Sequence, residues 1–333
     1  MLLSILIPTY NRAKPLKKNL YMIEKYINEN DLIDDIKIII SNNCSTDNTK
    51  QVIDQFYNQT DIKADRYSQN DNLGLEGNAL FVLEKADTEY VMYLSDDDFL
   101  DENYIVNLVD KLKSNKEFYC VLPSIQPVRP NGEYMNPGRD MEKNSKTYEK
   151  GFSNCLENSW RGHQLTGVTF KRDGTYASYR KNNVSNIYPF IYFVAYNCLR
   201  GKTWHLTDYP VEVTVAIQED KDWGYEEDGL ISEIFDNYKK LDNITSLQRS
   251  KLELKMLDTQ TFRYQMYLSK GINHYLKALK NIEFGNNTSL LTRLGFPFLA
   301  FKYLSKSALI KFLRLILGNK YEKTKNKFKS FIK

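Results

Sequence analysis

The sequence predicts an α/β protein built on a mostly parallel, doubly wound sheet, with a helical appendage at its C-terminal end. Three observations predict this class. Short runs rich in Ile, Leu, Val and Tyr alternate with amphipathic stretches through the first 125 residues. Each of the first, second and fourth runs gives way at once to a polar cluster. From residue 243 onward the pattern is helical to the end.

Taken in order, strand-like runs fall at 2–7, 36–40, 64–67, 90–94 and 118–122, with helical stretches near 14–27, 46–57, 74–85 and 101–112. Near-continuous apolar runs suit strands covered by helices on both faces. In such sheets ligands bind beyond the carboxyl ends of the strands, so the residues just after each run matter most. These are Pro8-Thr9-Tyr10-Asn11-Arg12, Ser41-Asn42-Asn43-Cys44-Ser45, Asn70-Asp71-Asn72-Leu73-Gly74 and Ser95-Asp96-Asp97-Asp98. The region 127–137, centred on Asn131-Gly132, reads as a turn or hairpin. A Tyr- and Phe-rich helix is expected over 188–199, stopped at Gly201, followed by a strand over 203–217. An acidic stretch at 218–228 then leads into an amphipathic helix near 230–241, and the later helices break at Gly271 and around Gly295-Phe296-Pro297.

Composition narrows the class of function. The 333 residues are 42% hydrophobic and 26% charged, which excludes a disordered chain, a collagen-like repeat or a polytopic membrane protein. The 24 Tyr and 17 Phe outweigh 15 Gly and 9 Pro, a surplus that suits an aromatic core or half-wet clefts. The net charge of +4 is uneven. From Lys302 onward ten basic residues face the single acid Glu322, which leaves the first 301 residues at −5, unlike a nucleic-acid binder. Cys44, Cys120, Cys155 and Cys198 lie far apart without metal spacing and read as free thiols. The N-terminus has no secretory pattern, and no run of 18 apolar residues occurs, so a cytosolic or peripherally held chain is expected.

The strongest local chemical signal is the acidic tip at Asp96-Asp97-Asp98. Three consecutive carboxylates at the end of a buried strand repel one another and are costly to desolvate. A hard divalent cation such as Mg²⁺ or Mn²⁺ would compensate them, whereas a solvated cap for the following helix, aided by Asp101, is the plainer reading. The spacing alone leaves both open.

The four tips together resemble those of the family 2 glycosyltransferases with the GT-A fold: Ser4-Ile5-Leu6-Ile7-Pro8-Thr9-Tyr10-Asn11-Arg12, then Ile38 to Thr49, then Asn72-Leu73-Gly74-Leu75-Glu76-Gly77-Asn78, then the DXD-type Tyr93-Leu94-Ser95-Asp96-Asp97-Asp98. The resemblance covers about the first 125 residues. It is nearest in tone to bacterial enzymes of O-antigen, capsule and teichoic-acid synthesis, including the abequosyltransferase-like branch. It implies a Rossmann-like GT-A domain with a nucleotide-sugar-binding half at 1–125 and an acceptor-side half at 126–242, followed by the helical region 243–333. The implied activity is metal-dependent, inverting transfer of a sugar from a nucleotide donor, UDP first among candidates, to a hydroxyl of a surface glycan or its lipid-linked precursor.

Carried over by residue, the resemblance places Pro8, Thr9, Tyr10 and Arg12 around the nucleotide and Asn42 at the base or ribose. Asn72 and Gly74 stand beside the nucleotide, Asp96 on ribose or metal, and Asp97 as the principal ligand of Mn²⁺ or Mg²⁺. Two departures stand out. Asn42-Asn43 occupies a place where many members carry paired aspartates, and Ser95 stands where a common form of the motif has an acid. The catalytic base is expected among Asp220, Asp222 and Asp228, with Glu219 and Glu227 beside them. An alternative alignment sets Ser185-Asn186 in the base's usual place. His163 is a weaker base candidate, while His205 and His274 read as structural.

Two other classes remain open from sequence: a non-catalytic nucleotide- or glycan-binding module, and a nucleotidyltransferase, whose Gly-rich basic loop is missing after the first strand. Between residues 299 and 317, Phe301, Leu304, Ala308, Leu309, Phe312, Leu313, Leu315 and Ile316 share one helical face. Lys302, Lys306, Lys311 and Arg314 share the opposite arc. Such a helix fits the inner, anionic face of a membrane, or else the protein's own core or another subunit.

Overall fold

A computed structural model describes residues 1–215 and 227–317. Strands β1 (Leu3–Thr9), β2 (Ile36–Asn42), β3 (Ala64–Ser68) and β4 (Tyr90–Tyr93) alternate with helices α1 (Ala13–Glu29), α2 (Thr49–Gln59) and α3 (Gly74–Lys85). Helix α4 (Glu102–Ser114) leads into β5 (Phe118–Val128). There follow β6 (Lys146–Tyr148), α5 (Phe152–Asn158), a 3-10 turn over Ser159–His163, β7 (Thr169–Lys171), α6 (Thr175–Lys181), α7 (Pro189–Arg200) and β8 (Lys202–Thr214). The remainder is α8 (Ile231–Lys239), α9 (Ser246–Thr259), α10 (Phe262–Gln265), a 3-10 turn over Met266–Lys270, α11 (Ile272–Phe284) and α12 (Leu290–Leu317).

The strands form one sheet in the order β3-β2-β1-β4-β7-β5-β8-β6. The first four are mutually parallel. Strand β7 then enters antiparallel between β4 and β5, β8 lies parallel to β5, and β6 closes the far edge antiparallel. The sheet is therefore mixed beyond β4, because a three-residue strand that no periodicity announces separates the parallel sets.

Alternate residues of the central strands feed two cores. Leu3, Ile5 and Ile7 of β1 pack with Leu20 and Ile23 of α1 and Leu108 of α4. Leu6 joins Ala79 of α3 and the aromatic inner face of α7 on the other side. The Tyr surplus is largely interior. Tyr90, Tyr93 and Tyr104 are fully buried, and their hydroxyls donate to the backbone carbonyls of Phe118, Ala79 and Gly167 at 3.0, 2.7 and 2.7 Å. That satisfies the polar tip while burying the ring. All four cysteines are free thiols, three of them buried.

Two boundaries differ from expectation for identifiable reasons. Helix α2 begins at Thr49 rather than residue 46, because Asp47 accepts from the backbone N–H groups of Ala13 and Thr49 and holds residues 43–48 as a loop against the start of α1. Helix α12 runs through Pro297 without a break. An interior proline costs about 3 kcal/mol, offset here by burial of Phe296 and Ala300 on either side, with the Phe296 ring edge-on to Tyr264 at 5.4 Å. Among the described residues no helix is long and apolar enough to cross a membrane.

Candidate active site

The carboxyl ends of β1, β2 and β4 open onto a crevice of about 780 Å³. One wall carries Pro8, Thr9, Tyr10, Arg12, Asn43, Asn72, Gly74, Asp96 and Asp97; the other carries His163, Gln164, Leu165, Ile187, Tyr188, Phe190, Phe262 and Arg263, with Val213 to Val215 closing one end.

The first wall is fixed by polar side chains that bridge neighbouring tips. Asn11, at φ 52°, accepts from the N–H of Thr46 at 2.8 Å, and its own N–H donates to Ser45 Oγ at 2.9 Å. Asn43 Nδ2 donates to Asn72 Oδ1 at 2.8 Å, and Asn43 Oδ1 accepts from the N–H of Leu73 at 2.8 Å. Asn72 Oδ1 also accepts from the N–H of Gly74, which sits at φ 72°. That left-handed conformation lets α3 start in the crevice wall, and it favours glycine there.

The acidic tip divides its three carboxylates between two tasks. Asp98 turns inward: Oδ1 accepts from the N–H of Thr214 at 2.8 Å, Oδ2 accepts from Thr166 Oγ1, and its backbone carbonyl accepts from Asn19 Nδ2. It thereby ties β4 to β8. Asp97 Oδ1 accepts from Ser95 Oγ at 2.6 Å, and Arg12 Nε stands 3.9 Å from Asp97 Oδ2. Asp96 is buried, with Oδ2 accepting from the N–H of Tyr10 at 3.3 Å. Burial and the adjacent Asp97 carboxylate push its pKa up to about 7, against the opposing pull of Thr9, Arg12 and the Tyr10 amide. Hard oxygen donors of this kind match the chemistry of Mg²⁺ or Mn²⁺, which take one or two carboxylates and complete their shell with phosphate and water. Among the described residues no group of three or more His, Cys, Asp or Glu is arranged around a metal position.

The opposite wall hangs on the 3-10 turn at Ser159–His163. Gly162 presses directly on the start of α7, where a Cβ would stand 2.4 Å from the Phe190 carbonyl oxygen. His163 Nδ1 lies 3.0 Å from the Trp160 carbonyl. A carbonyl can only accept, so Nδ1 carries the proton and Nε2 is the basic nitrogen. Burial, then the cations of Arg139 and Arg263, push the His163 pKa well below its ordinary value, and the ring is neutral. Arg263 is itself buried, with Nη1 donating to Gly229 O and Tyr188 Oη at 3.1 Å each and the guanidinium stacked 4.7 Å from the Tyr188 ring centroid.

Behind this wall lies a buried ionic cluster. Asp140 accepts from Arg161 Nε at 2.7 Å and pairs with Lys143 at 2.6 Å, while His205 Nε2 stands 3.4 Å away. Arg161 Nη1 reaches on to Glu157 O and Asn158 Oδ1, which anchors the 3-10 turn to α5.

Of the residues singled out from sequence, Pro8, Thr9, Tyr10, Arg12, Asn72, Gly74, Asp96 and Asp97 all line the crevice. Asn42 is buried and its Oδ1 accepts from the N–H of Ser45; it is Asn43 that faces the opening. Asp228 stands at the start of α8, where its two oxygens accept from the N–H groups of Leu230 and Ser232 at 3.0 Å each, and it is not among the described lining residues. Asp220, Asp222 and Glu219 lie outside the described residues. At the entry to α7, Asn186 spends its amide on Asn237 and the N–H of Tyr188. Tyr188 and Arg263 lacked a local sequence signal, because each is brought to the crevice by chain far from the acidic tip.

Known proteins fit this geometry. The family description Glycosyl transferase family 2 matches residues 4–182, more than half of the chain. The GalNAc(5)-diNAcBac-PP-undecaprenol beta-1,3-glucosyltransferase of Campylobacter jejuni is 30% identical over 152 residues, 45% of this chain and 47% of that protein. The abequosyltransferase RfbV of Salmonella typhimurium is 34% identical over 119 residues, 36% of this chain and 35% of that one. The chain thus spans less than half the length of either curated relative. Among solved structures, Staphylococcus aureus TarS 1-349 in complex with UDP-GlcNAc superposes with a TM-score of 0.63 at 18% identity, covering 85% of this chain and 80% of that one, a likeness of fold. The four strand tips, the acidic turn after β4 and the match across residues 4–182 lead to one assignment: the chain belongs to glycosyl transferase family 2.

Proposed function

We propose that the protein is a metal-dependent, inverting glycosyltransferase that moves a sugar from a nucleotide-diphosphate donor to a hydroxyl of a bacterial surface glycan or its lipid-linked precursor. The observation that carries the reading is the pair Asp96 and Asp97 at the end of β4, beside Arg12 and open to the crevice. Asp97, with Asp96, would hold Mn²⁺ or Mg²⁺, and a bound ion of this kind offsets charge collecting on a departing diphosphate. Pro8, Thr9, Tyr10, Asn43, Asn72 and Gly74 would cradle the nucleotide, with Arg12 near its phosphates. UDP is the nucleotide of choice; the TarS structure similar in fold carries UDP-GlcNAc. The undecaprenol-linked acceptor in the Campylobacter relative's name supports a lipid-linked acceptor. In this division of labour residues 1–125 serve the donor, 126–242 the acceptor, and 243–333 form the appendage.

Cation binding and pH are linked. Because the Asp96 pKa is raised to about 7, its ionisation destabilises the ligand-free fold as pH rises from the usual carboxylate range through 7. A cation that needs the carboxylate therefore binds more tightly above that pH. Thermal melts with Mn²⁺ plus UDP-sugar are expected to show a larger upward shift at pH 8 than at pH 6, and a ligand held at 100 times its Kd stabilises by about 2.7 kcal/mol. No shift with UDP, GDP, CDP or dTDP sugars at either pH would remove the donor site.

Inversion in a single displacement requires a base for the acceptor hydroxyl and no covalent sugar intermediate. We assign that role to Asp220 or Asp222, which follow the crevice residue Val215 in the chain; Asp228 is committed to α8. A second reading rests on the neutral imidazole of His163, whose Nδ1 tautomer leaves Nε2 as acceptor in the crevice. Steady-state transfer by Asp220→Asn, Asp222→Asn and His163→Asn separates the two. The base variant is expected to lose about 10²- to 10⁴-fold in kcat with donor KM little changed, and near-wild-type kcat in both Asp variants would transfer the role to His163.

A further inference from the structure

We propose that α12 is a membrane-docking element, which lies along an anionic lipid surface through a lengthwise apolar stripe on its outer face. Helix α12 has two apolar faces. One is the core face, where Phe296 and Ala300 are buried with partly buried Tyr303 and Leu304 beside them. The other bears no protein among the described residues. Leu290, Leu294, Phe298, Phe301, Leu309 and Ile316 are all exposed, Phe298 at 78% and Phe301 at 71%. At 100° per residue these six positions fall within an arc of about 100° along the full length of the helix. Single exposed apolar side chains are ordinary, but an aligned row of this length marks a binding surface.

Charge selects the occupant. Lys302 and Lys306 are exposed on the flank of the stripe, Lys302 lying 3.4 Å from Asp258 Oδ1, and from Lys302 onward the chain carries ten basic residues against one acid. A second copy meeting the stripe across a two-fold axis would bring those like charges together, whereas an anionic bilayer supplies the opposite sign and an apolar interior for Phe298 and Phe301. The 28 residues extend about 42 Å, a length that suits a helix lying in the interface plane. The core face stays on the protein, so the appendage is oriented with its packed side away from the lipid. The connection to the crevice is short: α10 contributes Phe262 and Arg263 to the lining and packs on α11, which packs on α12.

The inference goes beyond the donor-site reading and does not depend on it. The test is co-sedimentation of the full chain with vesicles of phosphatidylcholine containing about one third phosphatidylglycerol, without nucleotide or metal, against vesicles of phosphatidylcholine alone. Binding to the anionic vesicles is expected. It should fall at least about 10-fold in Phe298→Ser/Phe301→Ser, because two exposed rings lose their apolar burial. It should fall about 30-fold at low salt in Lys302→Gln/Lys306→Gln, from two charges near the surface. Circular dichroism checks that these surface variants keep the fold, and Asp97→Ala should bind vesicles like the wild type. Absence of binding to the anionic vesicles, or binding that the Phe pair does not alter, overturns the proposal. So does a solution dimer dispersed by the Phe pair, which would give the stripe to a second copy.

Discussion

On the proposed reading, Asp97→Ala is expected to reduce glycosyl transfer by about 10³-fold or more, because it removes the carboxylate that would hold the cation offsetting charge on the leaving diphosphate. The fold should survive. Asp97 gives up the hydrogen bond from Ser95 Oγ, a net contribution of about 1 kcal/mol, together with its pairing to the half-exposed Arg12. Against this, Asp96 loses the neighbouring carboxylate that helps to raise its pKa, so the ionised form becomes easier to bury. The two effects oppose each other, and the melting temperature should move by only a few degrees. Release of nucleotide from UDP-sugars, with and without acceptor, together with a melt in the absence of ligand, measures both. An Asp97→Ala protein that folds and keeps more than a tenth of wild-type transfer would place the chemistry elsewhere. The same assay addresses the binding-module alternative, since slow donor hydrolysis in the wild type that disappears in the variant is turnover, which a module lacks.

Asp140→Asn is expected to produce the largest loss of stability, about 3 to 5 kcal/mol, by leaving buried cations without their counter-charge. Asp140 adopts φ 61°, a conformation that Asn also accepts, so the substitution removes charge with little backbone penalty. Its carboxylate is held far below the usual range by His205, Arg161 and Lys143, in spite of burial. The sign of the pH dependence follows. A depressed carboxylate pKa contributes stability above the unfolded-state value near 4 and loses it as pH falls further. Chemical denaturation should therefore give a constant gap between wild type and variant from pH 7 to about 5, narrowing below 4. Because Arg161 also anchors the 3-10 turn that carries His163, the variant should weaken acceptor use more than donor binding.

The wall built from the strand tips was legible in the sequence, and the opposite wall was not. Strands β1, β2 and β4 carry apolar runs that allow little but buried strands, and a parallel sheet that also takes in β3 aligns their ends, so the four polar tips converge by topology alone. The tip residues then follow almost one for one. The exception is instructive: neighbours in an extended chain point to opposite sides, so Asn42 and Asn43 could not be told apart without knowing where β2 ends. The opposite wall draws on the 3-10 turn at Ser159–His163, the start of α7 and the short α10, which meet through contacts between distant segments. Tyr188 and Arg263 are 75 residues apart yet hydrogen-bonded. Helix α12 illustrates a further limit. Its sequence gives an amphipathic pattern but not which apolar face is occupied, and Leu304, grouped with the outer residues by projection, packs inward.

Strand β7 has a consequence for how the chain can be made. The edge of β4 that Thr169, Phe170 and Lys171 cover belongs to the first 125 residues, yet the covering residues come from well beyond them in the chain. A nascent chain that has emerged only as far as Val128 presents that row of backbone donors and acceptors bare, ready to recruit any extended neighbour. The two halves thus share one fate during synthesis: the first reaches its finished, non-sticky form only when some 45 further residues have left the ribosome.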